Sequence, residues 1–316
     1  MEKRQLGKSS LEVAPLAFGG NVFGWTVDEE TAFQLLDMFV DGGFSLIDTA
    51  DSYSRWAPGN KGGESETIIG NWMKSRKNRD KVVVATKVGS DVGQGKRDIS
   101  KKYILQEAED SLRRLNTDYI DLYQTHWDVE TVPVEETLEA YTQLVKEGKV
   151  RWIGASNLSP ERLKMSLEAS DKNGYPRYQT LQPEYNMYDR EKFEKSYHQI
   201  CLTENLGVIS YYSLASGFLT GKYRSEADLK KGARGSGVKK YLNERGLRIL
   251  SALDAVANRY GATPASIAIA WLQSRSTIAA PIASATSAIQ LESLMKAIDI
   301  KLDDDAVGIL SKASSG

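Results

Sequence analysis

Residues 44–53 read FSLIDTADSY, residues 81–87 read KVVVATK, and residues 119–126 read YIDLYQTH. Each is a short apolar run that stops on, or just before, a chemically reactive side chain. The runs do not alternate, and a strand that is apolar on both sides is covered on both faces, as in a parallel sheet. Their ends carry Asp48 with Tyr53, then Lys87, then His126. In a parallel barrel the C-terminal strand ends open on one face, so residues far apart in sequence converge there. An acid, a phenol, an amine and an imidazole in one pocket make a proton-transfer device. The acid holds the amine, the charged amine lowers the phenol's pKa, and the imidazole orients the other reactant.

The same alternation of short runs and longer amphipathic segments continues in both directions. Ala14–Phe18 reads as a strand ending in Gly19-Gly20, and Asp28–Val40 as a helix with Ala32, Leu35, Leu36 and Phe39 at helical spacing. Ser45–Asp48 precedes a helix over Glu64–Lys74, Lys81–Lys87 one over Ser100–Leu115, and Tyr119–Gln124 one over Val134–Glu147. Val150–Ala155 precedes Pro160–Ser170, and Thr180–Glu184 precedes Arg190–Asn205. Val208–Ser213 precedes two helices, Asn243–Tyr260 and Pro264–Arg275. Ile278–Ile282 is the last strand, with Ala288–Ile298 and Asp303–Lys312 after it. This order, without a composition break, predicts an α/β fold: a (β/α)8 TIM barrel, one domain over residues 1–316. A hairpin from Lys3–Leu6 and Leu11–Val13 is expected to close the barrel bottom. Leu219–Tyr241 carries no predicted element. It is basic and glycine-rich, which suits a loop folding over an anionic ligand.

Composition narrows the function. The chain has 316 residues, 26% of them charged, and a net charge of −1. Its pI is near 6.3 and its mean hydropathy −0.41. That balance points to no nucleic-acid partner and no anionic membrane surface. No apolar run reaches the length of a membrane span, and MEKRQLGKSSLE lacks a signal-peptide core. With Cys201 as the single cysteine, no intrachain disulfide forms, and a cytoplasmic location is expected. Cys201 lies in an apolar helical stretch and reads as an inert buried thiol. No metal is expected.

Each reactive residue also has an ordinary reading: Asp48 as a turn cap, Tyr53 as loop packing, Lys87 as a solvated amine, His126 as a core histidine. Their shared position at successive strand ends favours the pocket. His198 reads as mid-helix and superficial. A dinucleotide enzyme of the doubly wound type would show G-x-G-x-x-G between strand and helix. Gly93-Gln94-Gly95 is followed by Asp98, and Gly232-Ala233-Arg234-Gly235-Ser236-Gly237 has the spacing reversed. Any nucleotide therefore binds a barrel face.

These motifs make the chain resemble the aldo-keto reductase superfamily along nearly its whole length. IDTADSY is similar to the family's Asp and Tyr segment, ATK to its Lys, and LYQTH to its His. GESETIIGNWMK, KVRWIGASN, QPEYN and SLASGFLTGKY are similar in the same order. The resemblance implies nicotinamide-dependent reduction of a small carbonyl substrate. Tyr53 would be the general acid, Lys87 and Asp48 the pair that tunes it, and His126 the residue that orients the substrate. Ser156, Asn157 and Gln182 match the groups that hold the nicotinamide carboxamide, and Tyr211 the ring stacked on the nicotinamide. Gly19, Ser213, Leu214 and the stretch with Gly217, Leu219, Gly221 and Lys222 match further cofactor contacts, the last around the pyrophosphate. Trp25, Trp56 and Trp127 are candidates for lining the substrate site, with loop packing as the alternative.

The segment after the last strand departs from the family. It usually carries a cation for the 2′-phosphate of NADPH; here Pro281–Leu291 has none, and Ser284, Thr286 and Gln290 offer only neutral donors. Neutral hydrogen bonds are roughly half as strong as charge-assisted ones. NADPH is the expected cofactor, with NADH as the alternative, at the rim between the seventh and eighth strands. Two rival readings remain. One is an NADPH-binding regulatory or redox-sensing subunit of the kind found with potassium channels. The other is a Schiff-base aldolase with Lys87 as nucleophile. Substrate, reaction direction and oligomeric state are not legible.

Overall fold

The computed structural model describes residues 2–316. Two short strands, β1 (Arg4–Gln5) and β2 (Glu12–Val13), pair antiparallel. Leu6, Leu11 and Val13 of this hairpin are buried with Ala17, Leu46, Ala85, Leu122 and Ile209. The hairpin thus plugs the barrel floor. Gly7, at φ +63, is required there, because a Cβ would lie 2.2 Å from the Gln179 carbonyl oxygen. Arg4 ties the hairpin down by donating to the carbonyls of Ile278 and Gln273.

Eight parallel strands follow: β3 (Ala17–Gly19), β4 (Leu46–Asp48), β5 (Val83–Val88), β6 (Ile120–Thr125), β7 (Val150–Ser156), β8 (Tyr178–Gln182), β9 (Gly207–Val208) and β10 (Ile282–Ala283). They neighbour one another in sequence order, and β10 pairs with β3. The last seam closes through the Val208–Ile278 bridge and the Ile282 N–H on the Ser210 carbonyl. The (β/α)8 barrel is complete.

The outer layer begins with α1 (Glu29–Asp41), α2 (Glu64–Arg76), α3 (Lys101–Arg114), α4 (Val134–Lys146) and α5 (Pro160–Asn173). Asp28, Ser100 and Ser159 cap α1, α3 and α5 with side-chain oxygens, and Gly174 ends α5 in the left-handed region. Next come α6 (Glu191–Ser196), α7 (His198–Glu204), the single turn α8 (Gly235–Val238), α9 (Glu244–Tyr260), α10 (Pro264–Gln273), α11 (Ala288–Lys296) and α12 (Asp304–Ser314).

Four expectations change. The helix read over Arg190–Asn205 breaks at Tyr197, whose buried ring turns inward to donate to the Leu158 carbonyl. His198 consequently opens α7 and is not mid-helix. The strand read over Val208–Ser213 is Gly207–Val208, prolonged by an isolated parallel bridge of Tyr211 to Glu184, and Tyr212 at φ +52 then leaves the ladder. The last strand is Ile282–Ala283, later than Ile278–Ile282, since residues 277–280 close the seam to Val208. Leu219–Tyr241 is not structureless. It contains short 3-10 turns at Glu226–Lys231 and Lys239–Tyr241, the first closed by a Ser225–Asp228 capping box, and the turn α8 between them. No helix among the described residues is long and apolar enough to cross a membrane. Cys201 is buried in the core, and burial pushes its thiol up to about 12.

Candidate active site

Asp48 ends β4, Lys87 lies one residue before the end of β5, and His126 follows β6. The parallel register sets Asp48 opposite Ala85, and Lys87 opposite Gln124. Tyr53 reaches the same point from the turn after β4. Lys87 has no solvent exposure and Asp48 has 1%. An ammonium group has three donors, and Lys87 places all of them: Asp48 Oδ2 at 2.7 Å, the Thr49 carbonyl at 2.8 Å and Tyr53 Oη at 2.8 Å. Tyr53 Oη lies 3.3 Å from Asp48 Oδ2, a long and weak contact beside those three.

Asp48 Oδ1 accepts from Gln182 at 2.8 Å and from Gln124 at 3.4 Å. Gln124 stands inside the quoted LYQTH run, but a glutamine in a strand carries no signal of what it will face. His126 Nδ1 lies 2.9 Å from Ser90 Oγ, and the His126 ring is 6.1 Å from that of Tyr53. Burial, with Lys87 and Arg97 nearby, holds the imidazole well below its ordinary value, so it is neutral at neutral pH.

One electrostatic expectation is reversed. Lys87 donates to Tyr53, yet the phenol is pushed well above its ordinary value, first by burial and then by the Asp48 carboxylate. Burial also pulls the Lys87 ammonium down, against the opposing pull of Asp48, Asp51 and Glu66. Desolvation outweighs the attraction because the site is sealed on the barrel side. Tyr53 is therefore a protonated phenol across the neutral range.

These groups open on a cavity of about 920 Å³ at the C-terminal face, within the roughly 300–1,000 Å³ typical of small-molecule and cofactor sites. Gly19, Ser156, Asn157, Gln182, Tyr211, Ser213, Leu214, Gly217, Lys222, Ser284, Thr286 and Gln290 all line it, with Trp56 and Trp127. Gly19 has no room for a side chain, since a Cβ would lie 2.6 Å from Ser284 Oγ. Three residues are elsewhere. Leu219 is buried in the core and Gly221 turns the chain at φ +79. Trp25 is not in the wall but packs edge-on to Trp56 at 5.8 Å.

The cavity floor is already hydrogen-bonded. Asn157, at φ +52, donates to the His126 carbonyl and Ser156 Oγ and accepts from Tyr211 Oη at 2.9 Å. Ser156 Oγ donates to the Gln182 carbonyl. After β9 the backbone runs through positive φ at Tyr212, Ala215, Ser216 and Gly217. Such turns aim N–H groups into a concavity that suits anions. After β10 Ser284 donates to Asn21, and the Thr286 N–H and hydroxyl both donate to Gln290. Sequence reading missed Asn21, Ser90, Tyr212, Lys231 and Arg234, which also line the cavity. The last two sit in the segment singled out as basic and glycine-rich.

A cavity lined by a proton-transfer centre, side-chain amides, a tyrosine ring, and lysines beside a turn of positive φ has the donor set for a nicotinamide nucleotide. The comparisons agree. The Aldo/keto reductase family model matches residues 15–315. The chain is similar to Protein tas of Escherichia coli (strain K12), 31% identical over 97% of this chain and 96% of that protein. It is also similar to Aldo-keto reductase YhdN of Bacillus subtilis (strain 168), 34% identical over 86% of this chain and 81% of the other. A probable voltage-gated potassium channel subunit beta of Arabidopsis thaliana is 31% identical over 95% of this chain and 92% of its own. The chain belongs to the aldo/keto reductase family. Membership carries an oxidoreductase role with a nicotinamide cofactor.

Proposed function

We propose that the protein reduces an aldehyde or ketone to an alcohol with NADPH, using Tyr53 as general acid. The observation that carries this reading is Lys87, whose three donors converge on Asp48, Thr49 and Tyr53. The nicotinamide nucleotide, when bound, supplies hydride to the carbonyl carbon. Ser156, Asn157 and Gln182 hold its carboxamide, and Tyr211 presents a ring to its nicotinamide. Ser213, Leu214, Gly217 and Lys222 take the pyrophosphate. Ser284, Thr286 and Gln290 face the 2′-phosphate.

As charge grows on the carbonyl oxygen, Tyr53 gives up its proton. An alkoxide is a much stronger base than a phenolate, so a raised phenol pKa does not block the transfer. The Lys87 ammonium then stabilises the phenolate through the bond it already makes. In the tautomer in which Ser90 donates to Nδ1, the His126 proton would lie on Nε2, where it can be offered to the carbonyl. Trp56 and Trp127 flank the carbonyl compound.

Neutral donors already bonded to their neighbours grip a 2′-phosphate weakly, so discrimination between NADPH and NADH is weaker than with a cation in Pro281–Leu291. The similarity to a channel subunit keeps a regulatory, cofactor-binding role as the second reading. A panel of carbonyl compounds assayed with NADPH and NADH in parallel decides between them. Multiple turnover is expected, with NADPH ahead. Tight NADPH binding without turnover on any carbonyl would favour the regulatory role.

A further inference from the structure

Arg234 is a cavity cation with a buried donor that nothing in the protein satisfies. Four neighbours in the same segment are paired: Arg224 with Asp254, Lys231 with Asp228, Lys239 with Glu226 and Lys240 with Asp189. Lys222 and Lys230 join no ion pair among the described residues but are exposed to water. Arg234 joins no ion pair among the described residues, and its buried Nη2 has no hydrogen-bond partner. A buried donor left unpaired costs free energy that a ligand recovers by supplying an acceptor. The side chain is held by its turn. A Cβ on Gly235 would lie 1.7 Å from the Leu229 carbonyl oxygen, so the backbone passes there without slack. The guanidinium stands over the Trp25 ring at 5.5 Å.

Its place relative to the chemistry follows from contiguous rings. Trp25 packs on Trp56 at 5.8 Å, and Trp56 on Tyr53 at 6.0 Å. Arg234 is thus linked to the phenol through the Trp25–Trp56 pair, and Arg234 and Tyr53 line the same cavity. Asp48 is the one carboxylate in the cavity wall, and it is held by Lys87. The mouth thus joins aromatic walls to an unneutralised fork of donors, a shape that matches a carboxylate bidentately.

We infer that Arg234 anchors an oxyanion on the substrate, so that the preferred carbonyl compounds carry a carboxylate or phosphate apart from the reacting carbon. This rests on the reductase reading above. The cofactor's phosphates share that chemistry, and the test separates the two sources. 4-Carboxybenzaldehyde and 4-methylbenzaldehyde are rings of like size that differ in charge. Their kcat/KM values are measured at saturating cofactor for wild type, Arg234→Met and Arg234→Lys, with cofactor affinity followed by fluorescence titration.

Wild type should prefer the carboxylate. Arg234→Met should shrink that preference at least ~10-fold, mainly through KM, as expected for losing a charge-assisted hydrogen bond. Arg234→Lys should restore part of it. A loss of cofactor affinity matching the loss in kcat/KM would assign the guanidinium to a cofactor phosphate and overturn the inference. Reduction of both rings by wild type without preference would overturn it and leave the reductase reading standing. If neither ring is reduced, the wider carbonyl panel judges the reductase reading and calorimetry judges the anion site. Binding of 4-carboxybenzaldehyde that Arg234→Met abolishes supports it, and no binding to wild type overturns it.

Discussion

Tyr53→Phe removes one oxygen and leaves the ring against Trp56 and His126. Turnover should fall by at least ~10²-fold, the low end for losing a general acid, while cofactor affinity survives. Steady-state kinetics beside fluorescence titration separate the two, and near-normal kcat on every carbonyl would place the proton donor elsewhere. The pH profile follows from the directions of the shifts. His126 is held neutral from well below its ordinary value of 6.5 upward, so it adds no acidic limb near neutrality. On the alkaline side Tyr53 is raised, whereas Lys87 is lowered from 10.5. The ammonium is lost first, and the phenolate then has no counter-charge. Reduction should therefore fall with rising pH at an apparent pKa below 10.5, a value belonging to the Lys87–Tyr53 pair. Lys87→Met should remove that limb along with most of the rate. A limb at the same pKa in Lys87→Met would exclude the lysine as its source.

At the scale of elements, the seam between β5, α2 and α3 stores charge behind the site. Thr86 donates to Glu66, and Arg114 bridges Glu66 and Glu107. Asp51 is buried beside them with neither carboxyl oxygen bonded, and its pKa is pushed well above 3.8 by burial and then by the two glutamates. A carboxyl raised in the fold is fully stabilising only below its unfolded pKa, and the benefit is lost as pH rises through the folded value. Asp51→Asn should accordingly raise the melting temperature, more at pH 8 than at pH 4. Equal shifts at both would mean that charge is not the cause. The segment over the cavity is the other element with a consequence. Gly235→Ala forces its Cβ onto Leu229 and should unseat α8. Limited proteolysis should then cut within residues 219–241 faster than in wild type, and NADP⁺ should protect wild type more than the variant. Identical cutting rates would show that the turn does not hold the segment.

For the whole molecule, the two ends of the barrel divide the work. The hairpin plugs the floor with Leu6, Leu11 and Val13, and chemistry lies at the opposite rim. Leu6→Ala should destabilise by about 2–5 kcal/mol, the usual cost of emptying a buried leucine site. kcat at permissive temperature should not move, because the reacting groups lie at the opposite rim of the barrel. Denaturant unfolding with kinetics on the same sample reads both. A parallel drop in kcat would show that the floor and the rim are coupled.

The barrel was legible because its signals are local. Strands buried on both faces read as unbroken apolar runs, and helices announce themselves by spacing and by caps such as Asp28, Ser100 and Ser159. Asp48, Tyr53, Lys87 and His126 were visible for the same reason, each standing at or just past the end of such a run. Where tertiary contact overrides local preference, the sequence was silent. Tyr197 breaks a helix to reach the Leu158 carbonyl, and Tyr212 leaves a strand at positive φ. Leu219–Tyr241 read as loop because its turns are short and its ends are tied by pairs distant in the chain, Arg224 to Asp254 and Lys240 to Asp189. Electrostatics was decided by the tertiary structure as well. Proximity of Lys87 to Tyr53 was readable, but desolvation depends on everything packed around both, and it reverses the expected shift of the phenol. Arg234 shows the same limit. Its type and its basic surroundings stand in the sequence, whereas only the packed barrel decides which cations find partners and that the Arg234 guanidinium faces the cavity with a buried donor unpaired.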